Sequence, residues 1–367
     1  MISINFRLTV KIDGNLRKEI SVSLIPFWHF SMPERNKRKG RRMSTIITGS
    51  VAYDNIMNFP GHFKDHIMPD KLHVINLSFL VSTMKRQRGG VAANIAYTMA
   101  LLGSPPSVFT SVGANDWTDY EAWMNKHGID TRFIEVVPDE FTATCYITTD
   151  LDNNQITGFY TGAMARDKER SLKSIPRNEM DLVVIGPTEP EPIVRFTREC
   201  QEMGVPYVYS PIWQIIRMTG EEIAEGVQGA KVVVANDYEY ELIRDKTGLS
   251  QHDILDHAEM VVVTKGKHGS TIMTRDEVAA IPPARPNELL DPVGAGDAYL
   301  GGLVFGIGAG LDIQRAGRVA SLAAVYAIEH YGTQSFGYTR QEFVERYTEN
   351  FGDEPVIAEA LGAAQVS

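Results

Sequence analysis

The chain has 367 residues, 43% of them apolar and 22% charged, enough to bury one large core or a core with a small satellite domain. Its net charge of −10 argues against nucleic acid or an anionic membrane as a partner of the body. The two cysteines, Cys145 and Cys200, form no Cys-x-x-Cys pair and lack metal-ligand spacing, so they read as small core residues in a reducing, cytoplasmic compartment.

Residues 1–42 differ from the rest, with ten Lys and Arg against three Asp and Glu. The basic run Arg35, Lys37, Arg38, Lys39, Arg41, Arg42 has the composition of a nucleic-acid or targeting tail. The apolar stretch 20–30 is too short to span a membrane, and no small-residue cleavage site follows it. Met43 immediately precedes the first clear strand, so residues 1–43 read as an unstructured leader outside the fold.

From residue 44 the pattern is α/β. Residues 45–51 predict a buried strand, 90–102 a helix, 107–112 a strand and 117–127 a helix. Beyond residue 180 the alternation is regular. Strands are predicted at 182–185, 206–209, 232–235 and 260–264, and helices at 192–203, 220–226 and 238–245. A helical block follows from 298 through 330, another from 340 to 349, and 351–367 reads as a C-terminal tail. Such alternation implies a doubly wound, mostly parallel sheet flanked by helices on both faces. Two stretches, 54–86 and 141–161, break the rhythm with short alternating pieces, including Ile75, Leu77, Phe79 and Val81 in the first. Both fall between units of the main sheet, where they either pair as a small β-sheet lid or form ordinary edge hairpins.

Ligands of open α/β sheets bind at the carboxyl ends of the parallel strands. Asp54 follows the first strand; Asn236 to Glu239 follow the strand ending at Ala235; Thr264 to Gly266 end the next; and the run Asp291-Pro-Val-Gly-Ala-Gly-Asp297 opens the last long helical block. In that run Gly294, Ala295 and Gly296 let helix-opening amides converge on one anion, and Asp297 falls in the first turn beside them. A carboxylate beside an anion hole can take the proton of an alcohol while the hole stabilises a transferring phosphoryl group. Singly, several of these residues also read as strand-end caps, Asn236 and Glu239 as a capping box above all. No Gly-x-x-x-x-Gly-Lys-Ser/Thr occurs in the chain.

The motifs Gly89-Gly90-x-x-x-Asn94-x-Ala96, Asn236-x-x-Glu239, Thr264-x-Gly266 and Asp291-x-x-Gly294-Ala295-Gly296-Asp297 occur in the order seen in the ribokinase family, the PfkB-type carbohydrate kinases, which residues 44–350 resemble. Residues 148–157, Gly162-Ala-Met164 and Gly332-Thr-Gln334 are similar to those of prokaryotic nucleoside and adenosine kinases. The resemblance implies a ribokinase-like kinase domain with a lid, and transfer of the ATP γ-phosphoryl group to the ribose 5′-hydroxyl of a nucleoside, adenosine first. It implies Asp297 as base, Gly294, Ala295 and Gly296 as anion hole, and Asp54 and Asn94 as ligands of ribose hydroxyls, with Gly89 and Gly90 as substrate approach and lid hinge. Asn236 and Glu239 would orient phosphates and the water shell of Mg²⁺, Thr264 and Gly266 would line the ATP site, and Asp291 is the candidate for K⁺. The implied partners are a nucleoside or sugar, with the chain a monomer or homodimer and no nucleic acid or membrane bound.

Two positions depart from the family pattern: Pro292 stands where Thr is usual, and Pro211-Ile212-Trp213 replaces Asp-Pro. The first bears on the K⁺ expectation and the second on a phosphate-side contact. Phe59, Phe63, Phe79 and Tyr160 lie in the lid segments, where they stack on a nucleobase or pack the small sheet. His62 and His66 are spaced i,i+4, with no third metal ligand evident. The alternative functions are a free-sugar kinase of ribokinase or fructokinase type and a non-catalytic nucleoside- or sugar-binding member.

Overall fold

The computed structural model describes residues 5–12, 16–23, 43–67, 78–152 and 154–363, the first two stretches through their backbone. The chain divides into two compact units, Met1–Arg41 and Arg42–Ser367. In the first, β1 (Asn5–Ile12) and β2 (Leu16–Ser23) pair antiparallel, with Ile12 opposite Leu16. These strands stand where the sequence suggests an unstructured leader; Phe6, Leu8, Val10 and Ile12 alternate with Arg7, Thr9 and Lys11 at the strand period of two. The basic run 35–42 lies outside the described residues.

The second unit runs in chain order through β3 (Thr45–Thr48), β4 (Ala52–Asn58), β5 (Thr83–Gly89), α1 (Val91–Leu101), β6 (Ser107–Gly113), α2 (Thr118–Lys126), β7 (Ile134–Val137), β8 (Ala143–Thr149) and β9 (Gln155–Tyr160). It continues with β10 (Leu182–Ile185), α3 (Pro190–Met203), β11 (Tyr207–Tyr209), α4 (Gly220–Val227), β12 (Val232–Asn236), α5 (Asp237–Thr247), α6 (Gln251–His257) and β13 (Val261–Thr264). β14 (Ser270–Met273), β15 (Val278–Ile281), α7 (Ala295–Gly308), α8 (Ile313–Ile328), α9 (Arg340–Phe351) and α10 (Pro355–Leu361) complete it. Among the described residues, nine strands form the main sheet in the order β15-β14-β13-β12-β11-β10-β3-β6-β7. It is parallel from β13 to β7, and β14 and β15 are antiparallel. Its central strands are apolar on both faces because both are covered. Val183, Val233 and Val263 go to the side of α3 and α4, while Val184, Val232 and Val262 go to the side of α1 and α7. Each such fully buried Val contributes about 1.5–3 kcal/mol relative to exposure.

Small residues set the helix spacing next to the site. A Cβ on Gly301 would lie 2.8 Å from the Thr98 Cβ, and one on Gly302 2.7 Å from the Ala320 Cα, so α7 approaches α1 and α8 closely. The predicted block 298–330 is two helices, because the chain turns at Gly310 (φ +74°) before Asp312 caps α8. The predicted tail also holds structure: α10 buries Ile357 and Leu361 against the α7–α9 layer, so the body extends past residue 350.

The two irregular stretches pair as one four-stranded sheet, β5-β4-β8-β9. Its composition differs from the expectation: the strand is Thr83–Gly89, while Phe79 and Val81 are irregular and Ile75 and Leu77 lie outside the described residues.

Candidate active site

Asp297 is the third residue of α7, whose cap Gly294 has φ +81°, a conformation that favours glycine; a Cβ there would meet Thr333 Cγ2 at 2.7 Å. A Cβ on Gly296 would meet no atom within 4 Å, so open space lies in front of the helix N-terminus. Among the described residues, the amides of Gly294, Gly296 and Asp297 donate to no protein acceptor, whereas the Ala295 amide makes a long bond of 3.4 Å to the Pro292 carbonyl. Of the amides around the three expected donors, that of Ala295 is thus the one with a protein acceptor.

Across from this terminus, Asn94 on α1 donates from Nδ2 to Asp297 Oδ2 at 2.8 Å. Burial pushes the Asp297 carboxyl up to about 7; the Asn94 hydrogen bond opposes that, and the carboxylates of Asp54 and Glu239 push it further. Burial likewise pushes Asp54 up to about 6. Asp54 and Glu239 are thus near enough for their charges to act on Asp297, which brings side chains of β4, α1, α5 and α7 to one end of the sheet.

Gly89 and Gly90 fit this closeness. A Cβ on Gly89 would sit 2.3 Å from Asp54 Oδ2, and Gly90, at φ +90°, caps α1 where a Cβ would lie 2.5 Å from the Ala52 amide nitrogen. Asn236 and Glu239 form the capping box: Glu239 Oε2 accepts from the Asn236 amide at 2.9 Å and Asn236 Oδ1 from the Glu239 amide at 2.8 Å. Glu239 Oε1 stays free of this box. Thr264 pairs with Asn236 across β13 and β12, and Gly266 turns at φ +53° with open space beside it. Asp291 braces two loops, its Oδ1 accepting from the Val293 amide at 3.0 Å and its Oδ2 from the Gly332 amide at 3.1 Å.

Three of the lid aromatics take the packing role of the two open to them. Phe59, Phe63 and Phe79 pack on one another at 4.9–5.7 Å between centroids and form a small lid core. Tyr160 is in register with Thr144 and Tyr53, on the face opposite Asp54, and its hydroxyl donates to Glu140. Asp54, Cys145 and Phe159 instead share one row and one face. Phe159 makes an edge contact with Trp213 at 6.3 Å, and both are more than 40% exposed. Trp213 follows Ile212, which has φ +53°, a strained conformation for a β-branched residue. His62 and His66 diverge: His62 Nδ1 lies 3.0 Å from Asp152 Oδ2, while His66 makes an edge contact with the Phe59 ring. Asp150, beside them, accepts from the amides of Phe63, Asp152 and Asn154, so this corner is a braced turn.

Sequence reasoning also leaves out the support behind Asn94. Gln334 accepts a hydrogen bond from Trp123 and donates to Asn94 and to the Tyr120 hydroxyl. The available signal was Gly332-Thr-Gln334, legible as a motif though not as a partner of Asn94.

Residues 50–339 match the model of the pfkB family carbohydrate kinases. The chain belongs to that family. It is 29% identical over 314 residues to a nucleoside kinase of Methanothermobacter thermautotrophicus, covering 85% of this chain and 98% of that one. A Burkholderia thailandensis nucleoside kinase solved in complex with inosine is 40% identical, with a TM-score of 0.75 over 84% of this chain and 98% of its own. The Methanocaldococcus jannaschii nucleoside kinase, described as an archaeal member of the ribokinase family, is 27% identical with the same TM-score, over 85% of this chain and all of that one. The fold is thus ribokinase-like. No helix among the described residues is long and apolar enough to cross a membrane.

Proposed function

We propose that this chain is a nucleoside kinase that moves the γ-phosphoryl group of ATP to the ribose 5′-hydroxyl of a purine nucleoside, adenosine first. The observation that carries the reading is Asp297, held by Asn94 at the N-terminus of α7 with free amides and open space beside it. In this reading Asp297 accepts the 5′-hydroxyl proton as that oxygen bonds to the γ-phosphorus and the bond to the ADP oxygen breaks. The amides of Gly294, Gly296 and Asp297 stabilise the charge on the phosphoryl oxygens. Asp54 accepts from a ribose hydroxyl; Asn94 has one N–H on Asp297 and offers the other to the sugar.

The donor set at the ATP end suits Mg²⁺, which keeps most of its water. Glu239, with Oε1 free, would hold it through water, and Asn236, Thr264 and Gly266 would line the nucleotide. When bound, the ion supplies neutralisation of phosphate charge. Each Asp291 oxygen keeps a lone pair beyond its backbone bond, so a K⁺ ion at this loop junction remains part of the proposal. Support for a nucleoside over a free sugar comes from Phe159 and Trp213, two half-exposed aromatic faces on the cleft side of the lid and on the strand-end rim, and from the named relatives.

Initial rates with Mg-ATP and adenosine, inosine, ribose or fructose test this. Purine nucleosides should exceed the free sugars at least a hundredfold in kcat/KM. Turnover of sugars alone would replace this reading with a sugar kinase, and no turnover, with binding retained, would make the protein a sensor.

A further inference from the structure

Trp123, Gln334, Tyr120 and Asn94 form a hydrogen-bonded chain whose direction is fixed by its outer end. The indole N–H of Trp123 can only donate, and it meets Gln334 Oε1 at 3.1 Å. The Gln334 amide nitrogen must then face the other way, where it reaches Asn94 Oδ1 at 2.9 Å and the Tyr120 hydroxyl at 2.6 Å. Tyr120 has already given its proton to the Gly89 carbonyl at 2.7 Å, so its oxygen can only accept from Gln334. With Oδ1 of Asn94 engaged, its Nδ2 is the end that faces Asp297. Turning either amide would set two acceptors, or two donors, against each other. Tyr120, Asn94 and Gln334 are all at least 93% buried, which leaves little room for water to repair such a mismatch.

We infer that Gln334 and Trp123 are positioning residues that keep the amide N–H of Asn94, and not its carbonyl, on Asp297. The inference rests on the reading of Asp297 as base. Neither residue makes a hydrogen bond to Asp297. The groups that face Asp297 are Asn94 from α1, Asp54 from β4 and Glu239 from α5; both carboxylates favour its protonated form, and Asn94 is the hydrogen-bond donor that opposes them. Reversal of Asn94 would put a carbonyl on the carboxyl and convert the base into a hydrogen-bond donor. The nearest cation to the outer end, Arg88, lies over the Trp123 ring at 4.8 Å and acts on the indole face, not on its N–H.

The test uses Gln334→Met, which is neutral and of similar length, Trp123→Phe, and the double variant, each checked for folding by thermal melt. The acid limb of kcat/KM and the infrared titration of the Asp297 carboxyl in substrate-free protein, taken as a difference from Asp297→Asn, should both move up by about half a pH unit or more in each single variant. Activity near pH 7 should fall about twofold or more and recover toward wild type by pH 9. The double variant should shift no further than Gln334→Met alone, because one chain is being cut twice. An unmoved titration in folded Gln334→Met, a loss of rate independent of pH, or additive shifts would each overturn the inference. If Gln334→Met does not fold, Trp123→Phe, which keeps an aromatic ring and removes the N–H, decides by the same two titrations. If no nucleoside is turned over, the kinase reading fails, and the infrared titration still decides whether the chain acts on Asp297.

Discussion

Burial and hydrogen bonding act against each other on Asp297, and burial wins in the substrate-free protein, leaving the carboxyl near 7. The acid limb of kcat/KM, which reports the free enzyme, should therefore have an apparent pKa close to 7. Asp297→Asn keeps the shape and loses the proton acceptor, so kcat should fall by about 10²–10⁴ while nucleoside binding persists. Stability should move the other way. A carboxyl raised in the fold contributes stability that is complete below its ordinary value near 3.8 and is lost as pH rises through the folded value. Asn has no such loss, so the melting temperature of Asp297→Asn relative to wild type should rise between pH 5 and pH 8; a constant difference would refute the raised carboxyl. The carboxylate, its glycines and Asn94 are legible in the sequence because each stands at a helix start that local pattern predicts, whereas Asp54, expected just after the first strand, lies inside β4 of the small sheet. Gln334, Tyr120 and Trp123 are not legible, because Gln334, the residue that joins Trp123, Tyr120 and Asn94, is more than 200 residues from all three and only the tertiary fold brings them together.

At the scale of the element, α7 separates two glycines that look alike in the sequence. Gly294→Ala places a Cβ against Thr333 at a positive φ, so it should lower the melting temperature and disturb the loop as well as the rate. Gly296→Ala adds a methyl to open space inside a helix, where Ala is favoured by about 1 kcal/mol. It should leave the melting temperature equal or higher and still reduce kcat at least tenfold, because the methyl enters the space before the free amides. Unchanged kcat in folded Gly296→Ala would remove that space from the path of the phosphoryl group. Strands such as β10 and β12 are legible from their unbroken apolar runs. β5 is not: Thr83-Met-Lys-Arg-Gln-Arg-Gly89 is mostly polar and exposed, and its pairing with β4 makes it a strand. The four-residue pair β14 and β15 carries too short an alternation to stand out, although it supplies Ser270, hydrogen-bonded to Tyr299 of α7 at 2.6 Å.

Across the Arg42–Ser367 unit, the lid and the main sheet meet the cleft with complementary chemistry: Asp54 and Phe159 on the lid row, Asp297 and free amides on the rim. That two separated irregular stretches would pair was legible from their position between units of the main sheet and from the alternation at 142–148, although the alternation at 75–81 does not belong to the strand that pairs. The face each side chain takes was not legible, because a one-residue change in register reverses every side chain, and the register puts Phe159 on the Asp54 face and Tyr160 on the opposite one. β9 is exposed along its whole length and touches the rim through the edge contact of Phe159 with Trp213, so β9 is the loosely held strand of a sheet whose β4 and β5 are tied to the body by Tyr53, Arg86 and Arg88. Adenosine and ADP together should draw the lid down on the sugar and base. Amide hydrogen exchange in β9 should then slow by about tenfold or more, while the fully buried strand β10, already protected, changes little. Adenosine alone should give part of this protection if Phe159 stacks on the base, and Phe159→Ala should remove that part while leaving the effect of ADP. Protection of β9 by ADP alone, with no added effect of adenosine, would show that the aromatic row of the lid does not face the acceptor.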